Sequence, residues 1–581
     1  MKKLVLMLSI IIYSCNADEV DEPNNTLPLI ETNPITNITT TTAICGGGIT
    51  DDGGSYIINR GVCWGTIHVP TINDNINTNS SETEVYLCTL TNLEPNTTYY
   101  VRAFATNSEG TSYGEELSFN TQIVENIYTG DVILNNQQLV NDFGANNYTQ
   151  ISGMLHISSA VNDLSPLLTI TTVGGDFTIY SDQELVNLEG LNNLTTVGGD
   201  FKIQNSNMIT NLEGLNNLTT VGGDLKIFNN DMIINLEGLN NLTTVEETLV
   251  VEGNEMLTSF EGMNNLSHIG NYLTISDNDI LTDLSALNNI TSVHGLSITG
   301  NIFLTSLEGL INLSITEGDT RIIGNRALIN LEGLNNLTTV GGDFMIYDNR
   351  ELVNLVGLDN LTSVGETIIV QYNDALINLE GLNNLYSIHY GIIDNNQSLI
   401  NLEGLNNVTT IELGIDVSNN EVLNNLQALY NLTSVGDFFS IRNNNSLTNL
   451  IGLNNLTSVG NNLLIQNNSE LTSLSGLNNL TSVGGHIWIQ YNHGLISLEG
   501  LNNLTSIVNY LTINENDSLN NLHGLGNLSF VEYLSISSNN LLTDLCGLQN
   551  LLVNGWAGDY SVHSNAYNPT QQDIIDGNCS Q

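Results

Sequence analysis

The chain has 581 residues, with 61 acidic side chains against 10 basic ones and a formal net charge of −51. A surface this acidic repels nucleic acid, whose binding rests on Lys and Arg neutralising phosphates, and it repels anionic membranes and polyanionic glycans. Charged residues make up only 12% of the chain and apolar ones 40%, enough to build a large core.

At the start, Lys2 and Lys3 precede the apolar run Leu4–Ile12, followed by Ile12-Tyr13-Ser14-Cys15. A charged leader, an apolar stretch too short to span a bilayer and a small residue before cysteine resemble a bacterial lipoprotein signal. The resemblance implies cleavage after residue 14 and lipidation of Cys15. Residues 15–27 then form an acidic tether, with Asp18, Glu19, Asp21 and Glu22 beside the anchor. Such a cluster is similar to the export tags of surface lipoproteins in some Gram-negative bacteria, which implies an outer-membrane anchor facing the extracellular side.

Residues 28–122 read as a separate all-β module. Strands are expected over Ile38–Gly46 and Ile57–Trp64, with Asp51-Asp52-Gly53-Gly54 as a turn between them. Leu93-Glu94-Pro95-Asn96-Thr97-Thr98-Tyr99-Tyr100-Val101 resembles the signature of fibronectin type III domains. That implies a seven-strand sandwich with a tyrosine corner at Tyr99, acting as a spacer. Residues 123–153 are expected to cap the repeating region that begins at residue 154, with a strand over 130–134 and a short helix over Gln137–Phe143 ending near Gly144.

Residues 154–552 repeat a single unit every 23 or 24 positions, marked by leucines such as Leu188, Leu212, Leu236 and Leu331. A fixed period of this size predicts a solenoid with one coil per repeat, here about seventeen coils. Leu225 and Ile227 alternate with Lys226 and Phe228, the pattern of a short strand with one buried face. Leu212, Leu215, Leu218 and Val221 are spaced as further inward anchors. Gly214 and the pair Gly222-Gly223 are expected at corners that exclude a side chain or a negative φ. Stacking in register would give a parallel sheet with strands roughly 4.8 Å apart. The 23-residue coils lose their residue before the strand, for example between Leu284 and Leu296, so register should survive.

An asparagine closes each strand from Asn230 to Asn539 and is read as a structural ladder, because buried amides must find partners. The pattern L-x-x-L-x-x-V-G-x-x-L-x-I-x-x-N resembles the receptor L domain, a leucine-rich, right-handed β-helical module, and its relatives in fungal and bacterial wall proteins. The chain departs from the receptors in its unbroken length and in lacking their cysteine-rich modules, which leaves binding as the implied theme. The many Asn-x-Thr triplets are read as corners of the coils, not glycosylation sites. Residues 553–581 are expected to cap the far end, with a helix starting at Asn568-Pro569 and running through Ile575.

Six cysteines are present. Cys546 and Cys579 are expected to form a disulfide that staples the C-terminal cap in an exported protein. Cys45, Cys63 and Cys88 share one module, so at most one pair can form there.

Function is sought on the outward rows of the strand face. The central row carries Lys202, Lys226, Arg321, Ser440 and Trp488; the next carries Tyr180, Phe228, Tyr347 and Arg442, with Tyr372 and Tyr491 one residue later. Exposed aromatic and basic residues on an Asn-, Ser- and Thr-rich face are interface chemistry, and these positions are the candidate ligand-binding residues. Glu189, Glu213, Glu237 and Glu261 follow the marker leucines of adjacent coils and could place carboxylates in line for a structural Ca²⁺. No cofactor is otherwise expected. The nine histidines fall into no metal-ligand spacing, and no nucleophile elbow or phosphate loop is present, so the chain reads as non-enzymatic. The expectation is an all-β surface lipoprotein: a binding or adhesion module for an extracellular protein or neutral glycan. A passive surface scaffold and a polysaccharide-active enzyme are the alternatives.

Overall fold

The computed structural model describes residues 25–122, 124–180 and 184–581. The expected signal sequence, the acidic cluster after it and the expected lipidation at Cys15 lie outside the described residues. The chain divides into two compact units, Met1–Asn126 and Ile127–Gln581.

The first unit holds two antiparallel sheets. One orders the strands Leu29–Thr32, Ala43–Asp51 and Val85–Leu90; the other is built on Asn59–Gly65 and Thr98–Asn107, with Asn75–Thr78, Gly110–Tyr113 and Leu117–Asn120 beside them. Val62, Trp64, Tyr86, Leu90, Tyr99 and Val101 form their shared core. The Tyr99 hydroxyl accepts the Glu94 N–H at 3.0 Å and pins the corner. The strand expected from Ile38 starts at Ala43 instead. Thr39 closes a tight turn there: its hydroxyl accepts the Thr42 N–H at 2.9 Å and its own N–H donates to the Thr42 carbonyl at 2.8 Å. The β-branched run Thr39–Thr42 reads as strand by propensity, but its hydroxyls compete for the backbone.

The second unit is a parallel β-solenoid of about 18 turns, against the expected seventeen or so. Its main sheet runs from Val132–Asn136 to Trp556–His563 with parallel neighbours, as in Phe201↔Leu225, Lys202↔Lys226 and Ile203↔Ile227; the register shifts locally in a few pairs, as between Ile507 and Tyr510. The strand Trp556–His563 pairs with Phe530–Ser537 and supplies the further turn within the stretch expected to be only a cap. The shortened coils keep register, with Leu273↔Leu296 and Ile369↔Ile392 still opposed. Two-residue strands such as Thr220–Val221 build a second parallel sheet along the side of the early coils. In later coils this strand merges with the main one, as in Ser387–Asp394 and Ser506–Asn514.

Leu212, Leu215, Leu218, Val221, Leu225 and Ile227 are all fully buried. Each such side chain contributes about 1.5–3 kcal/mol on leaving water, so every coil is held mainly by its own apolar ring against its neighbours. Gly214 has φ +110°, and a Cβ there would sit 2.1 Å from the Leu188 carbonyl oxygen. Gly222 meets the expectation by the first of its two routes: its φ is ordinary, and what excludes a side chain is the Gly198 carbonyl of the coil before, 2.4 Å from where a Cβ would fall. Stacking distance, not a left-handed backbone, requires glycine at that corner.

The asparagine ladder is continuous. Each buried asparagine donates to a strand carbonyl of the coil before through its Nδ2 and to the next asparagine through its N–H; Asn230 Nδ2 reaches Ile203 O at 2.9 Å and its N–H reaches Asn254 Oδ1 at 3.1 Å. The last rung is Asn565, whose N–H and Nδ2 donate to Asn568 Oδ1 at 2.8 and 3.1 Å. Asn568 is therefore spent on the ladder, and the terminal helix begins at Gln571, capped by Thr570 and Asp573. At the other end the helix Gln137–Gly144, capped by Asn136, lays Val140 on the core.

A second asparagine ladder runs along an exposed corner. Asn217 Nδ2 donates to Asn192 O at 2.6 Å, and the Thr219 hydroxyl donates to Thr195 O at 3.0 Å. The Asn and Thr of each such Asn-x-Thr triplet thus link neighbouring coils. Cys546 and Cys579 form a disulfide, whereas Cys45, Cys63 and Cys88 are free and buried. Burial pushes the Cys45 and Cys63 thiols up to about 11, so neither is a ready nucleophile.

Candidate functional site

The strand face is where side chains leave the solenoid without being used by its core. Its basic residues are all paired with aspartates. Lys202 meets Asp200 at 2.8 Å, Lys226 meets Asp224 at 2.6 Å and Arg321 meets Asp319 at 2.6 Å; Arg442 pairs with Asp416, and Arg326 and Arg350 share Asp348. Asp200 and Asp224 also belong to a ladder, since the Asp224 N–H donates to Asp200 Oδ1 at 3.0 Å. Burial opposes ionisation of Asp200, but the Lys202 ammonium and the Asp224 N–H outweigh it and its pKa is lowered. Lys202, Lys226, Arg321 and Arg442 therefore neutralise the solenoid's own carboxylates, which leaves their charge less available to a ligand. Ser440, expected to face outward, is buried and accepts Arg442 Nε at 2.8 Å.

The aromatic candidates separate into groups. Tyr180 and Phe228 are half-buried on their strands. Tyr347 and Tyr372 lie together, ring centroids 5.1 Å apart, at 37% and 41% exposure. Tyr372 and Tyr491 both have φ +57°, at a turn position where other coils place Asn395, Asn443 or Gly324. A bulky side chain in the left-handed region costs roughly 1–2 kcal/mol, and strain of this kind concentrates at functional positions.

Trp488 belongs to a larger strip that the outward rows read along the sequence did not single out. Its ring stacks on His486 at 4.8 Å, His486 lies 4.9 Å from Tyr510, and Tyr510 stacks on Tyr533 at 4.4 Å. The His486 Nδ1 accepts the Tyr510 N–H at 3.3 Å, which fixes the imidazole between the two rings. His486 precedes the strand Ile487–Gln490, and Tyr510 and Tyr533 hold the same register position within the merged strands Ser506–Asn514 and Phe530–Ser537, the row that holds Asp176, Asp200 and Asp224 in early coils. That change of residue type along one row was the available signal. Aromatics elsewhere in the row have another use. Tyr272 lies over Gly295, where a Cβ would fall 2.0 Å from its ring, and Tyr390 and Phe438 lie 5.5 Å apart on either side of the Gly414 coil. Those rings cover bare backbone. The rings of the C-terminal strip cover one another, and Tyr510 is 41% exposed with Val508 and Phe530 also exposed nearby.

Glu189, Glu213, Glu237 and Glu261 are exposed along their corner, and the Glu213 N–H donates to Asn211 Oδ1 at 3.1 Å. Among the described residues no three His, Cys, Asp or Glu side chains converge as a metal site, so this row supplies no preformed calcium cage. No described helix is long and apolar enough to cross a membrane. No protein-family model matches the chain, and no curated protein does.

Proposed function

We propose that the chain is a lipid-anchored surface protein of the outer membrane, facing outward, whose solenoid strand face binds an extracellular protein or a neutral glycan. In this reading the N-terminal module is a fibronectin type III-like spacer and the solenoid is L-domain-like. The protein acts by binding and adhesion, and neither nucleic acid nor a catalytic cofactor is involved. The observation that carries the proposal is the strip of rings at His486, Trp488, Tyr510 and Tyr533 on the strand face, which serves neither the core nor a glycine. Tyr372 and Tyr491, held at a left-handed position, add to it. A passive scaffold would need neither.

Two experiments test this. Cys15→Ala is expected to abolish lipid labelling and release the protein in soluble form; retention of that variant on membranes in detergent-free fractions would refute the anchor. Changing Trp488 and Tyr491 together to alanine is expected to weaken attachment by about 2 kcal/mol or more, the usual size of an aromatic hot spot, with thermal unfolding unchanged. Unaltered attachment of a folded double variant would remove the strand face from the binding reaction.

A further inference from the structure

Resting on the binding role proposed above, we infer that the strip of His486, Trp488, Tyr510 and Tyr533 is a docking surface for a lysine- or arginine-rich segment of a partner protein. Charge is the first reason. Residues 443–581 contain no lysine or arginine at all. The last basic residue before the strip, Arg442, is already held by Asp416. Carboxylates, in contrast, flank the rings: Glu532 precedes Tyr533 in the chain, and Asp559 is the register partner of Tyr533 in the next coil. The charge of Glu532, with smaller effects from Tyr510 and Asp559, raises the Tyr533 phenol pKa, as expected for a ring in a negative field.

Ring geometry is the second reason. The row of rings ends at Tyr533, because the following coil places Asp559 where another aromatic would stand. A cation settling against the last ring would meet the π face and the carboxylates together, the arrangement that favours ammonium and guanidinium groups. A neutral sugar gains nothing from the uncompensated charge. It also needs a broad outward face, whereas Tyr510 and Tyr533 are turned towards each other, 14° from parallel.

The full chain can be titrated with a labelled peptide of alternating lysine and arginine, at low and high salt, and with a neutral β-glucan oligosaccharide. Saturable peptide binding that weakens as salt rises is expected. Because so acidic a protein attracts any polycation, specificity is read from variants. Tyr510→Ala with Tyr533→Ala should weaken peptide binding about tenfold, and Glu532→Gln with Asp559→Asn should weaken it and flatten its salt dependence. Tyr386→Ala with Tyr430→Ala, two exposed rings outside the candidate binding residues, should leave it unchanged. Thermal unfolding of each variant establishes that it is folded; the Glu532 and Asp559 changes alter charge and hydrogen bonding with little change of volume, and serve if the ring variants fold poorly. Equal peptide binding by all variants would overturn the inference, leaving only a diffuse field. Oligosaccharide binding that the ring variants abolish would overturn it in favour of a glycan while keeping the binding role. Attachment of intact cells that none of the solenoid variants alters would refute the binding role itself.

Discussion

Replacing Asn373 by alanine is expected to lower the stability of the central coils by about 1–3 kcal/mol, and more if more than one buried group loses its partner. Asn373 is fully buried. Its Nδ2 donates to Ile346 O at 2.9 Å, to Gln371 O at 3.0 Å and to Asn396 Oδ1 at 3.3 Å. Its Oδ1 accepts the Asn349 N–H at 3.1 Å. Alanine would strand the Asn349 N–H and the Ile346 carbonyl where water does not reach, and the cost of an unmet buried group exceeds the net gain of an average hydrogen bond. Asn335 is the control. Half-buried at a corner, it accepts the Gly333 N–H at 2.9 Å, a bond that water can replace. Asn335→Ala should therefore shift thermal unfolding much less. Equal shifts for the two substitutions would mean that the buried row is not the element that ties the coils together. Because each coil touches only its neighbours, hydrogen exchange should rise first at Asn349 and Asn396 and fade within a few coils.

Opening the disulfide between Cys546 and Cys579 is expected to cost about 3–4 kcal/mol on the chain-entropy account, given a sequence separation of 33. The bond acts at the place where a solenoid is weakest. The end of the chain folds back over the last leucine turn: Cys579 O accepts the Leu545 N–H at 2.9 Å, and the Gln581 N–H donates to Thr543 O at 3.0 Å. Cys579 is itself nearly buried against the core. Without the staple, Ile574 and the helix Gln571–Ile575 that carries it are free to leave the core. Cys579→Ser should then open the terminal coils to protease and lower the first unfolding transition, while the coils around Asn373 keep their protection. A reductant should do the same to the natural chain and nothing further to the variant. If reduction left the C-terminal coils as resistant as before, the cap would be holding by packing alone.

Much of this was legible in the sequence because a repeat states its geometry many times. The alternation of Leu225 and Ile227 with Lys226 and Phe228, and the recurrence of Asn230 through Asn539, fixed which residues face inward and which amides stack; the structure buries Leu225, Ile227 and every asparagine of that row. The pairing of Cys546 with Cys579 was legible for a similar reason, since the two lie at one end of a chain whose order along the axis follows its order in sequence. What the sequence could not decide was how neighbouring coils use one another's atoms. Gly222 is glycine because of a carbonyl contributed by the coil before, and the Asn-x-Thr corners are bonded to residues about one turn away. Charges on the strand face look free in the sequence, yet Lys202 and Arg321 are occupied by aspartates two residues earlier, whose position beside them exists only once the strand is formed. The strip of His486, Trp488, Tyr510 and Tyr533 is scattered over residues 486–533 and becomes one surface only when coils stack in register. Periodicity determines the coil because each repeat buries its own apolar side chains; contacts between coils depend on distances of a few ångströms along the axis, and those arise only on stacking.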